Sequence, residues 1–472
     1  MKVDYLISGA GATGLSFLDV ILSETDATVA IVDRRDAPGG HWNDAYPFVR
    51  LHQSSSFYGV CSRPMNARRD RNATRDQIDA GTFELSRKSE VLHYFHDLME
   101  NTYLPTGRVH SFPMHEHLGG GRIRSLMSGA ETQIEIERKL VNAGFWGDLG
   151  SIPATHTPAF EIGEGVACIP PNALPHRAPN HQNYCVIGAG KTGMDTVMWL
   201  LDQGVAPDRI SWVRANDYWL FQREKLLNHP AFFETTIQAF LDELAALGTA
   251  RTADEYSEKM EACGMWHRID ATVWPTRFHA AVCSTREIEA LRRVTNVIRL
   301  GHVRAITPDQ MTLAEGSVTL PADTLYIDCT ARAGVVLGDD APPVFDGDTI
   351  NPLMIRPFQP LFSAALIAFL EAHVPDEETR RNCTRVTNFH DTPAQYIGQA
   401  RNAMMNQYAW SQVPEVKAWL DKCRLYASNH LMKGLGPEDT DKFAQLSQFV
   451  PLTMAAMQNI PKILAHEAET QG

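Results

Sequence analysis

The chain builds the same opening twice, and that repetition limits its fold more than any other feature. VDYLISGAGATGLSFLDVIL begins at Val3 and NYCVIGAGKTGMDTVMWLLDQG begins at Asn183. Each is a short apolar strand, a G-x-G-x-x-G turn and an amphipathic helix. The glycines are Gly9, Gly11 and Gly14 in the first copy and Gly188, Gly190 and Gly193 in the second. The three serve different ends, namely a tight turn, close approach of the backbone to a pyrophosphate, and close packing of helix on strand. The diphosphate then meets the helix N-terminus, where free N–H groups and the helix dipole favour negative charge. Thr13, Lys191 and Thr192 lie inside these turns and join the candidate binding residues. The expected class is α/β, with two Rossmann-like three-layer nucleotide-binding domains.

The strand after each turn separates the two ligands. The first copy runs into TVAIVDRR, a second strand ending in Asp33, nineteen residues after Gly14, with Arg34 beside it. A carboxylate there binds the ribose hydroxyls of an adenosine moiety. The second copy runs into RISWVRAND, where the corresponding strand ends in Arg214. Loss of the acid and gain of a cation suits a 2′-phosphate, which favours NADPH over NADH. GAGKTG is not a phosphate-binding loop of the G-x-x-x-x-G-K-[ST] kind, because Cys185 stands where that motif needs its first glycine. Two such units in one chain hold two dinucleotides. Hydride passes only between stacked rings, so the natural pairing is a resident flavin, FAD, and a visiting nicotinamide, NADPH.

Beyond Asp33 lies Gly39-Gly40-His41-Trp42, a flexible turn carrying a large aromatic suited to lie beside an isoalloxazine ring, with Gly40 and Trp42 the candidate contacts. The order of FAD fingerprint, G-G-x-W turn and second fingerprint, with 179 residues from Gly9 to Gly188, resembles the two-dinucleotide flavoprotein monooxygenases. That family contains flavin-containing, Baeyer–Villiger and N-hydroxylating enzymes. The resemblance implies an FAD- and NADPH-dependent enzyme that inserts one oxygen atom of O2 into a small organic substrate through a C4a-(hydro)peroxyflavin. It also implies an NADPH domain inserted between two halves of an FAD domain. In flavin-containing members a T-N-x-P segment places an asparagine at the reactive flavin edge. Here the comparable stretch is Arg50-Leu51-His52-Gln53, so His52, or Gln53, takes that place. An imidazole there can hydrogen-bond a peroxide or shuttle a proton. The chain departs from the family at F-x-G-x-x-x-H: between the fingerprints it has IPATHTPAFEI and IPPNALPHRAPNHQNY, which offer His156, His176 and His181 without the pattern. No ester-forming activity is therefore assigned. A flavin-dependent reductase, dehydrogenase or oxidase without oxygen transfer is the alternative, and a catalytically silent nucleotide-binding or redox-sensing protein is the third reading.

The rest of the chain is organised around these units. Residues 1–165 are expected to form the first part of the FAD domain, 166–328 the NADPH domain, and 329–472 the second part of the FAD domain with C-terminal helices. An amphipathic helix is expected over Glu84 to Glu100, then a small meander of strands with Arg108 and Val109 placed to meet adenine. Asn142-Ala143-Gly144 and Asp328-Cys329-Thr330-Ala331 resemble the crossovers between the two domains. Residues 217–296 read as a helical insertion with Trp219, Phe221 and Trp266 as candidate pocket linings and Arg223 as a candidate for phosphate or carboxylate. In IRPFQPLFSAALIAFLEAHVPD, Gln359 and Pro360 start a helix whose N-terminus suits the flavin's pyrimidine carbonyls. The Met-rich segment after Asn388 suits packing on the FAD domain or a subunit contact, so a homodimer is allowed.

Composition removes other classes. With 56 acidic against 43 basic side chains the net charge is −13, which repels phosphate backbones and anionic lipid, so neither nucleic acid nor membrane is an expected partner. The expected partners are a small-molecule substrate and O2. Eight cysteines are scattered without a C-x-x-C pair, which excludes a local dithiol centre of that kind and reads as reduced, mostly buried thiols. No nucleophile elbow or H-E-x-x-H motif is present and no metal is expected. With no charged leader before an apolar stretch, the expected compartment is the cytoplasm.

Overall fold

A computed structural model describes residues 1–65, 85–334, 336–337 and 340–471. Its two main sheets are each built on one fingerprint strand. In the first, the order is Phe345–Asp346, Thr349–Ile350, Glu135–Asn142, Lys2–Ser8, Val29–Val32, Val109–Phe112. Lys2–Ser8 runs parallel to both of its neighbours, and Thr349–Ile350 runs parallel to Glu135–Asn142. In the second, the order is Val297–Ile298, Ile210–Val213, Asn183–Ile187, Thr324–Asp328, Cys168–Ile169, with every pair parallel. The first sheet takes strands from both ends of the chain and the second lies wholly between them. One α/β unit is thus inserted in the other, as expected.

The central strands are buried on both faces, which parallel packing under helices requires: Val29, Ala30, Ile31 and Val32 are all buried, as are Tyr184 to Ile187. The helix Ala12–Glu24 covers the first sheet and packs along Pro360–His373. Ten consecutive residues of the latter, Leu361 to Leu370, are buried. A helix apolar on all sides has no solvent face and belongs inside a domain. Ser16 Oγ donates to the Leu361 carbonyl at 2.7 Å, which fixes the start of the late helix beside the second turn of the early one. The meander is His115–Gly119, Arg122–Ser125 and Glu131–Gln133. The helix expected from Glu84 runs over Lys88–Leu98, while Glu84 itself lies outside the described residues.

The middle segment carries the expected helices and a small sheet besides. Residues 217–296 hold the helices Phe233–Thr249, Ala253–Ala262 and Thr285–Arg292, but also a three-stranded sheet. In it Tyr218–Gln222 pairs with Trp266–His267 and with Arg277–Cys283. The run Tyr-Trp-Leu-Phe is aromatic, fits a pleated surface and carries no helical stripe. Trp219, Phe221 and Trp266 belong to the core of this segment. They are buried and pack on one another and on Phe278, with Trp266 and Phe278 centroids 4.2 Å apart. The tail completes this lobe: Phe449–Gln471 packs along Phe233–Thr249, and Asn459 Nδ2 donates to the carbonyls of Leu247 and Ala250 at 2.9 and 2.7 Å, capping that helix. The Met-rich helix Pro393–Gln412 bridges the two cores, giving Trp410 to the first and Tyr396, Ile397 and Ala400 to the lobe.

Candidate functional site

Both fingerprint turns have the same construction. Gly9 and Gly188 sit at φ +112 and +119, where L side chains are rarely found, and each faces a crossover. A Cβ on Gly9 would lie 3.0 Å from the Gly144 nitrogen, and one on Gly188 would lie 2.7 Å from the Cys329 carbonyl oxygen. Both stretches singled out as crossovers therefore pass directly over a first glycine. The third glycines press the helix onto the turn: a Cβ on Gly14 or on Gly193 would lie 2.0 Å from the carbonyl oxygen of Gly9 or Gly188.

The second glycines behave otherwise. Gly11 and Gly190 adopt ordinary extended geometry, φ −78 and −72, as N-caps without a side-chain cap. Around Gly190 nothing lies within 4 Å of a built Cβ, and at Gly11 the nearest atom is the Gly40 Cα at 3.5 Å. Neither conformation nor packing in the protein demands glycine at these positions. A group approaching the uncapped helix N–H groups from outside would demand it.

The residues around the first turn are tied to it. Asp33 accepts from the Ala10 N–H at 2.7 Å and from the Arg35 N–H at 2.8 Å, so its carboxylate holds the turn. Thr13 is half-buried and Arg34 is exposed, 3.4 Å from Asp148. Gly40, at φ +55, packs its Cα towards Gly11. Trp42 lies in the core of the first unit with its indole N–H donating to the Tyr58 hydroxyl at 2.8 Å, while the neighbouring His41, stacked on it, is exposed. Val109 is buried in its strand, and Arg108 donates to the carbonyls of Leu22 and Thr25, so it caps the helix of the fingerprint.

In the second unit Arg214 is buried at the strand end, stacked 5.0 Å over Trp212 and paired with Asp217, which also binds Arg299 at 3.0 Å. Thr192 is half-buried and Lys191 pairs with Asp195. The Tyr46 hydroxyl of the first unit donates to the other oxygen of Asp195 at 2.7 Å. Burial works to lower the Lys191 ammonium, yet Asp195 beside it keeps it raised and charged.

These groups meet His52 between the units. Arg223, 3% exposed, donates to the His52 carbonyl at 3.3 Å, to the Val282 carbonyl at 3.2 Å and to Glu287 at 2.5 Å. Burial, then the charge of Lys191, lowers His52 to about 4, so its ring is neutral at pH 7. Gln53 is half-buried beside it. The structure thus gathers His52, Lys191, Asp195, Arg223 and Glu287 at the seam. The two crossovers are stitched together nearby: the Ser151 N–H donates to the Arg332 carbonyl at 2.8 Å, and His156 bridges Ser151 and Thr330 at 3.1 and 3.0 Å.

Gln359 caps Pro360–His373 and follows Phe358, a non-glycine residue at φ +60. Among the described residues the buried Gln359 Oε1 has no hydrogen-bond partner. His390 is 4% exposed, packs against Phe278, Phe358 and Tyr396, and interacts with the Asn388 backbone. Sequence reading missed His390, because nothing local in NFHDTP marks it. Leaving such a group unpaired costs about 1–3 kcal/mol, so the orphaned Gln359 oxygen at this helix start fits a polar ligand. Burial lowers His390 to about 4 from 6.5. The unfolded chain takes up that proton first, so the fold should lose stability as pH falls from about 6.5 to about 4. His390→Phe is expected to lessen this loss, seen as a smaller drop in Tm between pH 7 and pH 5 than in the parent. An equal drop would count against it.

Among the described residues no group of three or more His, Cys, Asp and Glu is placed to hold a metal ion, and no helix is long and apolar enough to cross a membrane.

No family model matches the chain. It is 36% identical to "Uncharacterized protein Rv2000" of Mycobacterium tuberculosis (strain ATCC 25618 / H37Rv) over 472 residues, 98% of this chain and 85% of the relative. "Uncharacterized protein Mb2023" of Mycobacterium bovis (strain ATCC BAA-935 / AF2122/97) matches to the same extent. Among solved structures, an open form of cyclohexanone monooxygenase is 14% identical with a TM-score of 0.47, covering 96% of this chain and 98% of that one. A flavin-containing monooxygenase from Stenotrophomonas maltophilia is 15% identical with a TM-score of 0.44, covering 79% and 97%. Likeness of that degree carries neither substrate nor chemistry over to this chain.

Proposed function

The chain belongs to one family with these mycobacterial proteins, and we propose that it is a two-dinucleotide flavoprotein, specifically an NADPH-dependent monooxygenase acting on a small organic molecule. The observation that carries the reading is the pair of second glycines, Gly11 and Gly190, which the protein's own packing does not require and a bound pyrophosphate does. FAD would lie on Gly9, Gly11, Thr13 and Gly14 with its ribose at Asp33. NADPH would lie on Gly188, Gly190, Lys191, Thr192 and Gly193. Bound FAD supplies the electron transfer and the reaction with O2 that no side chain supplies.

The chain's own residues bind, orient and exclude. The uncapped N–H groups at Gly11 and Gly190 hold diphosphate. Lys191 neutralises phosphate charge at the cost of its contact with Asp195, and so couples nicotinamide binding to the Tyr46 contact between units. Gln359 and Pro360 present a helix N-terminus to a carbonyl or anion. A neutral His52 offers one donor and one acceptor at the seam without placing a cation there. At Arg214 and Arg299 a 2′-phosphate would compete with Asp217, which shares both guanidinium groups.

Alanine at the second glycines tests the binding half. Gly190→Ala is expected to keep the parent's melting temperature and to raise KM for NADPH at least tenfold. Gly11→Ala is expected to be purified with little flavin. Unchanged nucleotide use in both variants would remove the reading. The chemistry is tested by adding NADPH in air with small amines, sulfides and ketones in turn. A substrate-dependent, stoichiometric use of NADPH and O2 with an oxygenated product is expected. Full peroxide yield with every compound added would make the protein an oxidase instead.

A further inference from the structure

The sequence spreads eight cysteines over the chain, and the fold brings two of them together from opposite ends. Cys61 Sγ lies 3.7 Å from Cys423 Sγ, and no other two thiols are in hydrogen-bonding contact among the described residues. Both backbones are pinned. The Arg424 guanidinium donates to the carbonyls of Val60 at 2.6 Å, Tyr58 at 2.7 Å and Ser56 at 2.9 Å, which clamps the residue after Cys423 onto the loop that ends at Cys61. On the other side of Cys61 the Ser62 N–H donates to the buried Asp19 carboxylate at 2.9 Å. The Cys423 N–H is held by the Trp419 and Leu420 carbonyls. Cys61 is half-buried and Cys423 is 5% exposed, which leaves the pair within reach of a small oxidant and out of reach of large ones.

We propose that Cys61 and Cys423 form a peroxide-sensitive disulfide site that staples the segment following His52 and Gln53 to the C-terminal tail. The proposal stands apart from the oxygenase reading. The Cys423 thiolate attacks one oxygen of hydrogen peroxide, the O–O bond breaks, and a sulfenic acid and hydroxide result. The Cys61 sulfur then displaces the sulfenic hydroxyl group, its proton leaving with that oxygen as water. Two thiols and one peroxide give one disulfide and two waters; both sulfurs are oxidised and both peroxide oxygens reduced. Cys423 is the better first nucleophile. Burial opposes its ionisation, but the Cys61 S–H, the backbone N–H groups of Leu425 and Tyr426 and the Arg424 charge favour it and lower the thiol, while Cys61 is raised.

The test uses reduced, full-length protein treated with one equivalent of hydrogen peroxide, then unfolded, alkylated and digested. Two thiols are expected to become unreactive. One cross-linked peptide pair, joining Cys61 to Cys423, is expected, and dithiothreitol should release it. Cys61→Ser and Cys423→Ser should each abolish the cross-link; Cys61→Ala is a second variant if either serine form fails to fold. Sulfinic acid at either position, bridges among other cysteines, or all thiols remaining free in the parent would overturn the proposal. Because the peroxide is added, failure here leaves the flavoprotein reading untouched, and a colourless protein that still forms the bridge would sink that reading alone.

Discussion

Gly14→Ala is expected to yield protein without flavin, and Gly193→Ala protein that keeps its flavin but no longer binds NADPH. The reason is a distance that no rotamer relieves. At either position the new Cβ would lie 2.0 Å from a backbone carbonyl oxygen, that of Gly9 or Gly188. Real Cβ atoms do not approach so closely, so the helix must lift from its strand and carry its N–H groups away from the diphosphate. Overpacking of this kind costs about 1–3 kcal/mol in stability. The loss in binding should be larger, because every contact made by the turn moves at once. Tenfold weaker binding corresponds to about 1.4 kcal/mol, and a loss of at least a hundredfold is expected at the altered site. Flavin content of the purified protein and NADPH titration separate the two sites. If either variant lost both ligands, the sites would not be independent units.

These glycines were legible in the sequence because their reasons are local: three positions in six residues, next to an apolar strand and a helix. The crossovers were legible for a related reason, as each ends an apolar strand that returns to the fingerprint strand's flank, over Ala143 and Cys329. The helix starting at Gln359 and Pro360 was likewise legible, and the structure buries ten consecutive residues of it, Leu361 to Leu370.

Features hidden from the sequence depend on partners distant along the chain. The run Tyr218–Gln222 became a strand because Trp266–His267 and Arg277–Cys283 lie on either side of it, and its aromatic residues found a core with Tyr396 from the tail. Arg214 reads as a free cation in RISWVRAND, yet Asp217 three residues on takes its guanidinium and stays close to Arg299. Trp42 reads as a ring presented to a flavin, and the half-buried Tyr58 that accepts from its indole N–H is not marked in the sequence. His390 and the Cys61–Cys423 pair have no local signature, since each is defined by the groups the fold places against it.

Arg223→Ala is the second large effect expected. This side chain, 3% exposed, ties the backbone of His52 in the first unit to Val282 and Glu287 in the inserted lobe. Removing it leaves Glu287, whose carboxyl is held down to about 2 against the effect of burial by Lys191 and Arg223, with Lys191 as its remaining cation. Breaking a buried pair by deleting one partner costs about 3–5 kcal/mol. Lys191 would then be drawn between Asp195 and Glu287, and less of its charge would be available to a nucleotide phosphate. Two readouts should therefore move together: a lower denaturation midpoint, and a higher KM for NADPH with flavin content unchanged. Arg223→Lys should restore charge but not the bonds to both carbonyls, and so recover the KM better than the stability. Glu287→Gln in the Arg223→Ala background removes the stranded carboxylate and should return part of the lost stability. If the double variant were no more stable than Arg223→Ala alone, the cost would lie in the lost carbonyl contacts, and the brace between the units would be a matter of hydrogen bonds and not of charge.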